Sequence, residues 1–235
     1  MGDIVFMPGL LAAKTDYEHS VAAPAELIGC YFGKNVVVWD YHQHMASKFG
    51  IPNPNFIDDM KQDYKENIYE KHEIDYHWLQ SMGGSIGIIT ANKYPPNKGI
   101  IVGAPAIKPI NAPQFVKNKI QIATGKHQGG TFDLTGAEEF ERDKRWLSNF
   151  RFYHFVQLLR AARLARKIAP GIDVPTLILQ GSKDGVVRAS GAKKLEKIMP
   201  NADLKEYPDL AHNLPEERDV DQIFEDVSKF MHQHR

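Results

Sequence analysis

The sequence has almost no cysteine, since Cys30 is the only one among 235 residues. A single thiol cannot form a disulfide within the chain, so the fold needs no oxidising compartment and we expect a cytoplasmic protein. The sequence also has no long apolar run. The apolar stretch over residues 1–13 is interrupted by Asp3 and Pro8, is too short to span a bilayer and carries no basic leader, so we expect neither a membrane span nor a secretion signal there.

The sequence has no excess of either charge, because Lys and Arg together number 29 and Asp and Glu together number 29. No net field draws the protein to nucleic acid or to an anionic membrane. We therefore predict a small-molecule partner and no nucleic acid, with at most a transient contact with a membrane surface. Hydrophobic residues make up 43% and charged residues 25%, which is ordinary for a globular protein of this length.

Short, continuously apolar runs alternate with amphipathic segments along the chain. Continuous β-branched runs are typical of buried strands in a parallel sheet, and amphipathic segments between them are typical of flanking helices. The predicted strands cover residues 3–7, 35–40, 76–79, 99–105, 176–180 and 202–207. The main predicted helices cover residues 15–32, 56–71, 83–93 and 219–232. This pattern predicts an α/β fold with a mostly parallel sheet.

Residues 78–87 combine an apolar run, a glycine pair and a helical pattern around Ser81. A strand, a tight turn and a helix in this order would place the Ser81 hydroxyl on a sharp corner at the carboxyl end of the sheet. The backbone N–H of the next residue, Met82, would face the same point. Such a serine is a candidate nucleophile, and the alternative is an ordinary serine in a glycine-rich turn.

The sequence Gln-Ser-Met-Gly-Gly at residues 80–84 resembles the nucleophile elbow of α/β-hydrolases. Its Ser-Met-Gly-Gly form is similar to that of the monoacylglycerol lipase and lysophospholipase group of serine aminopeptidase S33-type hydrolases. Leu79 stands where the G-x-S-x-G motif has its first glycine. Because leucine adds bulk at a crowded corner, we expect either a widened turn or a compensating change nearby.

The resemblance also implies an acid and a base for the nucleophile. Residues 175–187 are close to the family pattern Pro-x-Leu-x-Leu-x-Gly-x-x-Asp-x-Val-Val, which places the triad acid at Asp184. Residues 208–214 resemble the family's histidine loop and place the base at His212. The order Ser81, Asp184, His212 is that of α/β-hydrolases. Each residue follows a predicted strand, so all three should meet at the carboxyl edge of one sheet.

Two loops after the first strands complete the predicted site. By position in the family, the oxyanion hole consists of the backbone N–H groups of Leu10 and Met82, with Pro8 replacing a family histidine. The loop over residues 40–47 keeps only part of its family pattern. His42 and His44 in it raise the alternative of a metal site, but two imidazoles without further ligands at suitable spacing are weak evidence for zinc. We predict no metal and no cofactor.

Residues 106–170 change to helices, glycines and aromatic residues between two predicted core strands. In α/β-hydrolases such an insertion is a helical cap, here after the sixth family strand. We therefore predict a core formed by residues 1–105 and 171–235 and a cap formed by residues 106–170. The aromatic residues could line an acyl pocket or hold the cap to the core. The resemblance lacks one or two edge strands before Ile4, so the predicted fold is shortened at its N-terminal side and leaves that strand nearer an exposed edge.

The resemblance implies a serine carboxylester hydrolase acting on a monoacylglycerol- or lysophospholipid-like ester through an acyl-enzyme. One alternative is a general esterase for short acyl chains. Another is a catalytically impaired or engineered binding protein on the same fold, because Leu79, Gln43, Met45 and Pro8 depart from family positions around the site. The sequence leaves the oligomeric state open.

Overall fold

Within the part of the chain that the structure describes, six strands form one parallel sheet. The computed structural model describes residues 2–10, 22–46, 51–108, 152–212, 214 and 220–234. The strands are β1 (Asp3–Met7), β2 (Val36–Val38), β3 (Ile74–Gln80), β4 (Gly99–Gly103), β5 (Thr176–Gly181) and β6 (Ala202–Tyr207). Their order is β2-β1-β3-β4-β5-β6, and every neighbouring pair is parallel. The predicted α/β fold with a mostly parallel sheet is confirmed.

Helices cover both faces of this sheet. Among the described residues, the α-helices are α1 (Ala22–Phe32), α2 (Phe56–Tyr64), α3 (Met82–Ala91), α4 (Phe152–Ile168), α5 (Ala189–Ile198) and α6 (Val220–Gln233). Alternate strand residues face opposite sides. Val5 and Met7 join the apolar core under α2 to α5, whereas Ile4 and Phe6 join the core under α1 and α6. Among the described helices, none combines the length and the apolar character needed to cross a membrane.

Strand β2 differs from its sequence-based prediction. It spans three residues instead of six and is half-buried instead of buried, because it is the outermost strand of the described sheet. Strand β1, which we expected nearer an exposed edge, is the second strand, and four of its five residues are buried. A continuous β-branched run is typical of a buried strand, but it does not reveal which strand lies at the edge.

Part of the predicted organisation falls outside the described residues. Helix α1 is described from Ala22, so its predicted beginning at Thr15 is not covered. Of the predicted cap, only residues 106–108 and helix α4 with the turn after it are described. The division into core and cap therefore stays a prediction.

A buried ion cluster lies near the amino ends of the central strands, opposite the edge where the candidate site residues follow their strands. The carboxylate of Asp75 accepts hydrogen bonds from Lys34 at 2.8 Å, Lys98 at 2.9 Å and the Gly2 backbone N–H at 3.1 Å. Burial alone would raise the pKa of Asp75, but the hydrogen bonds and charges of the two lysines hold it below its usual value. These contacts join β1, β3 and the segments beside them.

A second buried polar contact lies between β3 and α2. The Tyr64 hydroxyl is 2.6 Å from His77 Nε2, and both side chains are fully buried. Burial disfavours the charged form of each group, which lowers the pKa of His77 to about 3 and raises the pKa of Tyr64 above its usual value. His77 therefore stays neutral in the folded protein at any pH near neutrality.

We predict that His77 makes the protein less stable in mild acid. The folded pKa is about 3 and the ordinary value is 6.5, so below pH 6.5 the unfolded chain binds a proton that the folded protein does not. The free energy of unfolding should fall by about 2 kcal/mol between pH 7 and pH 5 through this residue alone. Urea unfolding at both pH values, compared between the wild type and His77→Gln, measures it. An equal loss in the two proteins would contradict the prediction.

Candidate active site

Ser81 lies at a strained turn between β3 and α3. Its backbone has φ 54° and ψ −114°, a conformation that residues other than glycine rarely adopt. The Ser81 N–H donates to Gly103 O at 2.9 Å, and Ser81 O accepts from Gly84 N at 3.0 Å and from Ala106 N at 2.9 Å. Hydrogen bonds to β4 and to the loop after it therefore hold the turn in place.

The loop after β1 lies directly against this turn. A Cβ atom on Gly83 would be 2.1 Å from Met7 O, so only glycine allows the start of α3 to approach β1 this closely. A Cβ atom on Gly9 would be 3.3 Å from Ser81 Cβ, which places the loop beside the Ser81 side chain. The close contact with Met7 O explains why the last position of the elbow motif, Gly83, is a glycine in this chain.

Leu79 is accommodated by a glycine on α3. The Leu79 side chain is fully buried, and a Cβ atom on Gly87 would be 2.2 Å from one of its methyl carbons. The leucine therefore fills space that the helix leaves open at position 87. This is the compensation that the sequence led us to expect, although the sequence did not indicate which residue supplies it.

Asp184 and His212 come together from the loops after β5 and β6. His212 Nδ1 is 2.9 Å from Asp184 Oδ2, and the other carboxylate oxygen accepts the N–H groups of Val186 at 2.8 Å and Val187 at 2.9 Å. Burial alone would raise the pKa of Asp184, but the hydrogen bond and charge of His212 and these two N–H groups hold it below its usual value. The carboxylate is therefore ionised and oriented towards the imidazole.

The His212 loop is bound to the strand that precedes Ser81, the candidate nucleophile. Gln80, the residue before Ser81, donates from Nε2 to His212 O at 2.8 Å inside the protein. Of the hydrogen bonds made by these described residues, none joins the Ser81 hydroxyl to the His212 imidazole. Without substrate, such a contact is often longer than in the reacting complex. Gln80 therefore links His212, the candidate base, to the strand that precedes Ser81, the candidate nucleophile.

The two candidate oxyanion donors belong to residues next to this contact. Leu10 follows Gly9, which lies against the Ser81 side chain, and Met82 follows Ser81 itself and is the first residue of α3. The first N–H groups of a helix have no partner within the helix, so the Met82 N–H is suited to bind an anion. The Tyr41 hydroxyl donates to Pro8 O at 2.8 Å and fixes the loop that contains Leu10.

The His42 and His44 side chains are directed to carboxylates. His42 Nδ1 is 2.8 Å from Asp40 Oδ1, and His44 Nε2 is 3.6 Å from Asp63. Within the described ranges, no three histidine, cysteine or acidic side chains are grouped as they would be around a metal ion. Ser47, the remaining family position of this loop, lies outside the described residues.

Sequence reasoning missed four residues that shape the site. Gln80 and Tyr41 act through hydrogen bonds to main chain across long sequence separations. Gln180 binds the Asp184 carboxylate only four residues away, and Gly87 acts through the space it leaves. Each lies within one of the sequence patterns described above, but at a position to which the pattern assigned no role. Only Gly87 had a signal in the sequence, and that signal was indirect. Leu79 stands where the family has glycine, so its bulk required more space nearby.

One protein family matches most of the chain. Residues 33–219 match the model of the family described as serine aminopeptidase, S33. A monoglyceride lipase homolog of monkeypox virus is 39% identical over 64 residues, which cover 27% of this chain and 23% of that protein. The match therefore spans about a quarter of that relative's length.

Solved structures share the fold over almost the whole chain. The monoacylglycerol lipase of Paleococcus ferrophilus has a TM-score of 0.67 at 16% identity, with 99% of this chain and 95% of that chain covered. A soluble variant of monoglyceride lipase from Saccharomyces cerevisiae has a TM-score of 0.66 at 16% identity, covering 99% and 86%. At such low identity the likeness shows the fold alone, which is the predicted α/β-hydrolase fold.

We predict that Gly87→Ala destabilises the protein, although alanine is the better helix former. The new Cβ would overlap Leu79, so the free energy of unfolding should fall by about 1–3 kcal/mol instead of rising. Leu79→Ala in the same chain should remove this specific penalty. Unfolding in urea of the two single variants and the double variant forms a double-mutant cycle. Strictly additive effects would contradict direct packing of Leu79 on Gly87.

Proposed function

The chain belongs to the serine aminopeptidase S33 family, and on that premise we propose that it is a serine hydrolase that cleaves carboxylic esters. The observation that carries the proposal is the array at one edge of the sheet. Ser81, whose backbone is strained, follows β3. His212 follows β6 and is paired at 2.9 Å with the buried Asp184, which follows β5. An alcohol, a base and an orienting acid are the groups that acyl transfer requires.

In the proposed reaction, Ser81 Oγ attacks the ester carbonyl carbon while His212 Nε2 takes the hydroxyl proton. Asp184 holds Nδ1 of the imidazole and stabilises its charged form. The backbone N–H groups of Met82 and Leu10 bind the oxygen that becomes negative, a contribution of roughly 3 kcal/mol per donor. His212 then protonates the leaving alcohol, and an acyl group remains on Ser81.

Water completes the proposed cycle. His212 takes a proton from a water molecule as that molecule attacks the acyl carbonyl, and it returns the proton to Ser81 when the second tetrahedral intermediate collapses. The products are a carboxylic acid and an alcohol. Each proton taken by His212 is given back within the cycle, so no oxidant, reductant or cofactor is consumed.

For the substrate we propose a monoacylglycerol- or lysophospholipid-like ester. Its support is the family and the relative named a monoglyceride lipase homolog, together with the aromatic residues of the predicted cap. The rival within the same chemistry is an esterase for short acyl chains. The rival outside it, a non-catalytic binding protein, was based partly on Leu79, and the packing of Leu79 on Gly87 weakens that objection.

We predict that a fluorophosphonate probe labels the purified protein on Ser81. Ser81→Ala should abolish labelling, and His212→Gln and Asp184→Asn should slow it by at least about a hundredfold, because the base or its orientation is lost. Ser182→Ala is the matched control, since Ser182 is an exposed serine close to Asp184 in sequence, and it should label like the wild type. Mass mapping of the adduct locates the label. Absence of labelling in a folded wild type would support the binding-protein rival.

A panel of esters tests the substrate class. We predict that kcat/KM rises with acyl length from nitrophenyl acetate to nitrophenyl laurate, because each added methylene buried in an apolar pocket contributes about 0.8 kcal/mol. Hydrolysis of monoacylglycerol and of lysophosphatidylcholine with the same acyl chain then separates the two head groups. A maximum at acetate or butyrate would favour the short-chain esterase.

A further inference from the structure

Two buried glutamines lie directly beneath the candidate site. Gln80 is the last residue of β3, and Gln180 is the residue before the last of β5. Gln180 is fully buried and Gln80 almost so. In each glutamine, the amide nitrogen Nε2 donates to residues of the candidate site, and the buried carbonyl oxygen Oε1 has no hydrogen bond. Two amides with the same pattern require an explanation, because an unpartnered buried oxygen lowers stability.

Gln180 binds the acid of the candidate triad. Its Nε2 donates to Asp184 Oδ2 at 3.0 Å and to Gly181 O at 2.9 Å. Both partners only accept hydrogen bonds here, since Asp184 is ionised, so the amide must present its nitrogen to them. The opposite orientation would place Oε1 against two oxygens. The direction of this amide is therefore fixed by its partners.

Asp184 Oδ2 is also the oxygen that His212 Nδ1 binds, at 2.9 Å. Gln180 and His212 thus share one carboxylate oxygen, while Val186 and Val187 use the other. A donor on the shared oxygen withdraws electron density that would otherwise favour the protonated imidazole. Among the described residues of these two loops, the other charged ones are Lys183, Arg188 and Asp209, and Lys183 pairs with Asp209 at 2.8 Å on the surface.

Gln80 binds the base of the candidate triad through its main chain. The hydrogen bond from Nε2 to His212 O, at 2.8 Å, spans 132 residues of sequence. Room for the side chain comes from Gly103, where a Cβ atom would be 2.3 Å from Gln80 Oε1. His212 belongs to a loop and not to a helix or a strand, so this contact fixes the candidate base relative to Ser81, the residue that follows β3.

We propose that Gln180 and Gln80 are positioning residues of the active site, the first orienting Asp184 towards His212 and the second holding the His212 main chain at a set distance from Ser81. The catalytic part of this inference rests on the proposed function. Its electrostatic part does not, because the imidazole of His212 can be titrated whether or not the protein hydrolyses esters.

The first test replaces Gln180 by Met, which has a similar length but no donor. NMR of histidine-labelled protein follows the His212 resonance, assigned with His212→Gln, as a function of pH. The titration midpoint should move up by about half a unit to one unit in Gln180→Met, because Asp184 Oδ2 loses a competing donor. If the wild type hydrolyses esters, the acid limb of its kcat/KM profile should move by the same amount.

Gln157→Met is the matched control for losing a buried glutamine. Gln157 is fully buried and donates to the backbone oxygens of Met45 and Asn53. Neither of these partners belongs to the candidate triad. This variant should lower Tm without moving the His212 midpoint. Gln180→Asn keeps the amide, but its side chain is too short to reach Asp184, so it should give the same shift as Gln180→Met. It replaces Gln180→Met in this test if that variant does not fold. A lower Tm with an unmoved midpoint in either folded Gln180 variant would overturn the role of Gln180.

The second test replaces Gln80 by Met. Fluorophosphonate labelling of Ser81 should slow by about tenfold while the His212 midpoint stays where it is, because the change is one of position. An unchanged labelling rate in the folded variant would overturn the role of Gln80. If the wild type is not labelled at all, the proposed function fails, and the NMR titration of the Gln180 variants still decides the electrostatic part.

Discussion

The contact on which the candidate site depends is the close approach of the start of α3 to the end of β1. No side chain fits at position 83, because it would lie within 2.1 Å of Met7 O. This approach sets the loop after β1 beside Ser81, with Leu10 on that loop and Met82 at the helix start. The strained backbone of Ser81 follows from the same constraint, since the chain must turn from strand to helix within one residue.

The parallel sheet turns this local corner into a site. In a parallel sheet every strand ends at the same edge, so residues separated by about a hundred positions in sequence become neighbours. Ser81, Asp184 and His212 follow β3, β5 and β6, and the hydrogen bonds of Gln80 and Gln180 connect these loops to the strands beneath them. The opposite edge holds the buried Asp75 cluster, which joins strands away from the candidate site.

Sequence reasoning was most reliable where one pattern determines the structure. The strands predicted at residues 3–7 and 202–207 agree residue for residue with β1 and β6, because turn residues lie beside both: Pro8 and Gly9 follow β1, and Asn201 and Pro208 flank β6. The predicted burial of β2 was wrong. How far a strand is buried depends on its place in the sheet, and that place depends on contacts between distant parts of the chain. Leu79 showed that compensation was needed, but locating it at Gly87 required the helix to be placed on the strand.

Strand β3 carries an unusual share of the polar atoms that are buried without a partner. Among the described residues these atoms are His42 Nε2, His77 Nδ1, Trp78 Nε1, Gln80 Oε1 and Gln180 Oε1, and three of the five belong to β3. Each lowers stability by about 1–3 kcal/mol relative to a satisfied group. The apolar contacts of a central strand, buried along its whole length, must offset that cost. Strand β3 therefore precedes the candidate nucleophile and also retains buried polar groups that lower stability. Such a cost is expected where a fold supports a reactive site.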